Sequence, residues 1–269
     1  MAKTPITFAV QRGEPDMERS QPIVSMHGIT KKFGGVIALN NVDLEAHAGE
    51  VLAIVGDNGA GKSTLIKILT GVYQPTSGEI RLDGKPFSMA SHSEAIDNGI
   101  DAVYQNLAIA DHLTPAENLF LGSELTHRVF GFSVLSNRRM KAEATHVLKE
   151  RLGVQLKSMD VPTESLSGGQ RQAVAIARAV RHEDLRVLVM DEPTAALGPQ
   201  ETARTLALIQ TLKSQGLAVI VISHSLDDVF EISDRIHVMR RGQCAGVVMT
   251  KDTTNEEVLG LIVGAKTAA

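Results

Sequence analysis

The sequence predicts an α/β protein built on a parallel sheet. Three observations carry this: short β-branched apolar runs alternate with segments of helical spacing, a glycine-rich loop joins one such run to one such segment, and two carboxylates end another run. From residue 23 onward, runs at 23–29, 42–44 and 51–55 are separated by glycine-containing turns and read as strands. Further runs at 100–104, 187–190, 217–222 and 236–239 alternate with helical segments at 62–70 and 200–214, and this alternation implies parallel pairs. Between about 108 and 179 the β-branched runs give way to helical spacing, as at 140–152 and 170–180, which predicts a helical lobe inserted in the sheet. Residues 1–22 mix Pro, Gly, Gln and charge without apolar periodicity and are expected to form a flexible N-terminal tail. Residues 264–269 are expected to form a short C-terminal tail, leaving 23–263 as a single domain.

Composition narrows the function. With 269 residues and 43% hydrophobic composition, the chain can bury one substantial core with an appended lobe. Lys and Arg total 27 against 31 Asp and Glu, a net charge of -4, so no nucleic-acid partner is expected. The single cysteine, Cys244, cannot form an intramolecular disulfide and reads as a small apolar strand residue. No secretory signal is legible at the N-terminus, so a cytoplasmic location is expected. No apolar run approaches the ~20 residues that span a bilayer, and any membrane role would be borrowed from a partner. The histidines are scattered and Cys244 has no partner at ligand spacing, so no metal beyond Mg²⁺ is indicated.

The stretch Gly56-Asp57-Asn58-Gly59-Ala60-Gly61-Lys62-Ser63, followed by Thr64, matches the phosphate-loop pattern G-x-x-x-x-G-K-[ST] between an apolar strand and a helix. Glycines let the backbone aim its N–H groups at phosphate oxygens, the helix adds its positive end, and Lys62 reaches the β- and γ-phosphates. Ser63 is the candidate Mg²⁺ ligand. The competing reading is a glycine-rich turn carrying an accidental lysine. The strand at 187–190 ends in Asp191 and Glu192, at the sheet edge where α/β proteins bind ligands. Asp191 is placed to support Mg²⁺ and Glu192 to polarise a water. An acidic pair after a strand is otherwise a solvated turn.

Leu166-Ser167-Gly168-Gly169-Gln170 opens a helical segment ahead of Asp191, and a serine with two glycines at a helix start can donate hydrogen bonds to an anion. Together with the phosphate loop and the acidic strand end, in this order, it resembles the signature of ABC transporter ATP-binding subunits. The resemblance spans about 23–263. It implies a P-loop NTPase core of ABC type with an antiparallel β subdomain and the inserted helical subdomain. It also implies that ATP is the cofactor, and that the signature of one subunit meets the nucleotide held by the other.

The same resemblance assigns Gln105 to sensing Mg²⁺ and the transporter, His224 to the γ-phosphate and Phe33 to stacking on adenine; in isolation these are a loop glutamine, a helix-start histidine and a core phenylalanine. The run Leu113-Thr114-Pro115-Ala116-Glu117-Asn118-Leu119 resembles the segment facing the membrane subunits, with Glu117 and Asn118 as contacts. One departure stands out: after Pro193-Thr194-Ala195-Ala196-Leu197 the family usually has an aspartate, and this chain has Gly198-Pro199, which bears on communication between the two nucleotide sites. The pattern is most similar to ATPases of bacterial monosaccharide importers of the ribose and fructose type. That similarity implies a homodimer beneath integral membrane permease subunits, peripheral on the cytoplasmic face of the inner membrane and served indirectly by a periplasmic solute-binding protein. The alternatives are a non-transport ABC ATPase acting on nucleic acid or ribosomes, or an importer of another small solute.

Overall fold

The computed structural model describes residues 21–130 and 132–265. Apart from Gln21 and Pro22 the expected N-terminal tail lies outside the described residues, as do residues 266–269 of the expected C-terminal one. In chain order the elements are β1 (Val24–Phe33), β2 (Val36–Ala46), β3 (Val51–Val55), α1 (Lys62–Leu69), β4 (Ser77–Leu82), β5 (Lys85–Phe87), α2 (His92–Asp97) and β6 (Ile100–Val103). There follow α3 (Pro115–Phe120), β7 (Thr126–Val129), β8 (Phe132–Leu135), α4 (Asn137–His146), a π turn (Val147–Arg151), a 3-10 turn (Thr163–Ser165) and α5 (Gly168–Val180). The chain continues through β9 (Val187–Asp191), α6 (Pro199–Ser214), β10 (Ala218–Ile222), α7 (Leu226–Ile232), β11 (Arg235–Arg240), β12 (Gln243–Met249) and α8 (Asn255–Val263).

The main sheet has the order β12-β11-β3-β10-β9-β6, with β12 alone antiparallel to its neighbour. Its central strands β3 and β10 are buried at every position. That explains their unbroken apolar sequences, because a parallel sheet covered on both faces has no solvent side to alternate with. A second, antiparallel sheet has the order β2-β1-β4-β5. Arg235, at the start of β11, ties the sheets together: its guanidinium pairs with Glu50 at 2.8 Å and donates to the Glu45 carbonyl at the end of β2. On the other flank of the main sheet, α3, α4, the π turn and α5 share an apolar cluster with Leu188 and Met190 of β9 and Leu206 of α6.

The parallel core, the antiparallel sheet and the helical lobe realise the expected fold class. Two local differences appear. The helical stretch read at 140–152 divides into α4 and a π turn, and the lobe also holds the β7–β8 hairpin. All four residues of β8 are exposed. A strand with no buried face leaves no alternation to read, so periodicity gave no warning of it.

Candidate functional site

The phosphate loop follows β3 directly, and two of its glycines are dictated by space. Gly56 has φ 148° and a Cβ there would run into the Met239 carbonyl oxygen; at Gly61, φ 102°, it would meet Leu39 Cδ2 at 2.7 Å and the Ala38 oxygen at 2.9 Å. The loop is thus pressed against β2 and β11, with no room for a side chain. Gly61 caps α1 without a side-chain hydrogen bond, so the first-turn N–H groups of Lys62, Ser63 and Thr64 stay available to an anion. The Lys62 ammonium donates to the carbonyls of Gly56 at 2.7 Å and Asp57 at 3.0 Å. Burial lowers its pKa, against the opposing pull of Glu192, Asp191 and Asp57.

Three strand ends converge beside this loop. Asp191 closes β9, and burial together with the neighbouring Glu192 charge raises its carboxyl pKa. Glu192 sits at φ 52°, and its N–H donates to the Ile222 carbonyl at the end of β10, so its side chain leaves the strand direction. One Glu192 oxygen accepts from Gln105 Nε2 at 3.2 Å, just beyond β6, and the other lies 3.4 Å from His224 Nδ1, just beyond β10. A single carboxylate is therefore held between an amide and an imidazole, beside the loop suited to phosphate.

Phe33 is 43% exposed and outside the core. Its ring meets Tyr73 edge-on at 5.4 Å and 73°, and the Lys31 ammonium lies 5.1 Å from its centroid. Tyr73 and Lys31 escaped the sequence reading, although both are chemically suited to a flat heterocycle beside an aromatic ring.

Ser167 and Gln170 form a reciprocal capping box at the start of α5, with Ser167 N–H donating to Gln170 Oε1 at 3.1 Å and Gln170 N–H to Ser167 Oγ at 3.4 Å. The Gly169 N–H donates to Glu201 Oε1 of α6 at 3.2 Å. The two glycines leave little space there: a Cβ on Gly168 would lie 3.0 Å from Leu197 Cδ2, and one on Gly169 would lie 3.2 Å from the Glu201 Cβ. Farther along α5, Arg178 donates to the carbonyls of Leu107 at 3.0 Å and Ala108 at 2.9 Å, in the loop just after Gln105. The structure thus gathers Lys62, Gln105, Asp191, Glu192 and His224 in one place. Among the described residues no hydrogen bond joins Ser167, Gly168, Gly169 or Gln170 to the phosphate loop.

One expectation is corrected. Asn118, read as a contact for membrane subunits, is 1% exposed. Its side chain accepts from the Ala110 N–H and donates to the Thr163 hydroxyl, both at 2.8 Å, fastening α3 to the turn that precedes α5. Glu117 remains partly accessible, but its carboxylate completes a capping box with Thr114.

Comparison with known proteins agrees with this architecture. The family model described as ABC transporter matches residues 39–195. The chain is 43% identical over 249 residues to the fructose import ATP-binding protein of Rhizobium meliloti, covering 91% of this chain and 95% of that one. It is 45% identical to a ribose import ATP-binding protein of Escherichia coli O157:H7, covering 91% of this chain but 47% of the relative, so it spans about half the length of the ribose relatives it matches. A nucleotide-free ATP-binding cassette from an ABC transporter superposes with TM-score 0.74 at 28% identity, covering 90% of this chain and 95% of that one. A dimeric cassette in a post-hydrolysis state bound to ADP and Pi superposes with TM-score 0.69 at 26% identity, covering 84% and 98%. With the fold, the motifs and the relatives in agreement, the chain belongs to the ABC transporter family.

Proposed function

We propose that the chain is the ATP-hydrolysing subunit of an importer for a monosaccharide, working as a homodimer with two composite ATP sites. It docks on integral membrane permease subunits at the cytoplasmic face of the inner membrane, and the solute reaches the permease from a periplasmic binding protein. The full-length match to a fructose import protein supports the solute class and the single-cassette assembly. In this reading residues 23–263 form one cassette domain whose helical subdomain is about 108–179.

The observation that carries the catalytic reading is the Glu192 carboxylate held between Gln105 and His224 beside the phosphate loop. Gly56 to Thr64 receive the phosphates through backbone N–H groups, and Lys62 exchanges its two carbonyl partners for phosphate oxygens. Phe33 stacks on the adenine. Ser63, Gln105 and Asp191 offer the hard oxygen donors that Mg²⁺ prefers, and Asp191, with its raised pKa, gains most from a nearby cation. When bound, Mg²⁺ supplies charge neutralisation across the phosphates.

Glu192 orients the attacking water and takes its proton, while His224 steadies both the carboxylate and the γ-phosphate side. Ser167 and Gly169 of the second copy complete the site. Catalysis is mainly positioning and charge stabilisation, with no covalent step on the protein. The test is ATP hydrolysis by the purified wild type and Glu192→Gln, with dimerisation followed by light scattering. Hydrolysis by the wild type and an ATP-bound dimer retained only by Glu192→Gln is the expected result. An active Glu192→Gln overturns the role of Glu192.

A further inference from the structure

The signature serine and glycines are the donors that the composite site needs for an anion, yet in this chain they already hold one. Glu201 is the third residue of α6, and its carboxylate accepts from the Gly169 N–H at 3.2 Å, with the Ser167 hydroxyl near enough to stabilise the charge. The backbone N–H of Gly198, the helix cap, acts on the carboxylate in the same direction more weakly. The contact is close along its whole length, since Cβ positions on both Gly168 and Gly169 would fall within 3.4 Å of Glu201 atoms. These donors hold the Glu201 carboxyl below its usual pKa, so it is anionic at neutral pH.

Glu201 also has somewhere else to go. Arg204, one turn along α6, attracts it electrostatically, and both side chains line a cleft of about 600 Å³ between α5 and α6 with Gln155 and Thr205. The chain departs from the family pattern immediately upstream, at Gly198, where a carboxylate is usual. The carboxylate found in this loop-to-helix segment reaches the signature from three residues further on.

We infer that Glu201 is an internal stand-in for the γ-phosphate: it occupies the signature's donors in the open chain, and ATP held by a second copy must displace it before the dimer closes. This rests on the composite-site reading above. One set of donors cannot fully serve two anions, and two anions 3 Å apart repel, so the closing dimer must expel Glu201 toward Arg204. Glu201 thus sets the ATP concentration at which closure occurs, and it links the Gly198 segment to the signature in the absence of the usual aspartate. It is a positioning residue, because its action is on Ser167 and Gly169.

The experiment uses the full chain in the Glu192→Gln background, which retains ATP. Glu201→Gln and Glu201→Ala are compared with the parent by light scattering across an ATP titration, with thermal unfolding of each variant as a folding control. Loss of a charge-assisted competitor should lower the ATP concentration for half-maximal dimer by about tenfold in both variants. Glu201→Asp, too short to reach Gly169, should behave like Glu201→Ala. A residue that merely braced the signature would give the opposite sign, with more ATP needed once it was removed. An unchanged or raised ATP requirement in correctly folded variants therefore overturns the inference while leaving the composite site standing. No ATP-driven dimer in the parent or in any variant overturns the composite site, and this inference with it.

Discussion

The phosphate loop and the signature are both glycine-bearing helix starts, and they satisfy themselves in opposite ways. At the loop, the chain's own cation is parked: Lys62 rests on the carbonyls of Gly56 and Asp57, and the N–H groups of the first helical turn are left for a ligand. At the signature the chain's own anion is bound, and the donors are spoken for by Glu201. The walls differ as well. Gly56 and Gly61 are confined by backbone and side chains of two β-strands, whereas the nearest neighbours of Gly168 and Gly169 are the side chains of Leu197 and of Glu201 in α6. A loop walled by sheet backbone keeps its shape before ligand arrives, and a site walled by side chains can change by a rotamer.

That contrast can be broken at several points. The largest effect belongs to Glu192, whose change to Gln should cut the hydrolysis rate by about 10²–10⁴-fold, read from phosphate release, while ATP binding at the preformed loop persists. Equal losses of binding and turnover would mean that the two halves are not separable.

His237 tests the rigidity of the sheet behind the loop. It is buried opposite Ile54 in β11, two residues before Met239, and burial pushes its pKa down to about 4, with Arg235 acting in the same direction and Asp43 against it. Because the folded value is depressed, the unfolded chain takes up the proton first as pH falls below about 6.5, the ordinary histidine value. Stability attributable to this residue is therefore intact above 6.5 and declines to about pH 4, by up to about 3 kcal/mol. Urea unfolding at several pH values should show that component in the wild type and not in His237→Leu; equal pH slopes would contradict it.

On the signature side, Asn118→Ala removes the pin between α3 and the Thr163 turn and leaves the Ala110 N–H without its partner. It should lower stability by about 2–3 kcal/mol in the same assay. If Asn118 instead served a partner protein, stability would hold and only permease-coupled activity would fall. The smallest effect is expected at Phe33, where Ala should raise the KM for ATP by about tenfold with little change in kcat. A change confined to kcat would remove the ring from the nucleotide site.

Much of this site is legible without coordinates because its parts sit at the ends of buried strands. Val51 to Val55 and Ala218 to Ile222 announce themselves by unbroken apolar sequence, and the residues that follow them, Gly56 and His224, inherit their placement. Glu192 follows β9 in the same way. The strands β4 and β5 and the β7–β8 hairpin lack that signal because few or none of their residues are fully buried. Asn118 misled because a polar residue near a helix start is ordinarily solvated, whereas this one is satisfied inside by the loop at Ala110 and by Thr163, 45 residues away. Glu201 was hidden for the same reason: nothing in the spacing of Gly198-Pro199-Gln200-Glu201 reveals a contact with residues more than 30 positions earlier.

The two hydrogen bonds from Arg178 have a mechanical meaning. One guanidinium grips consecutive carbonyls of the loop after Gln105 while its own helix begins at the signature. A planar fork on two neighbouring acceptors resists rotation as well as stretching. The position of the loop after Gln105 and the orientation of α5 are therefore fixed with respect to each other, and the signature lies ten residues from that joint along the same stiff rod.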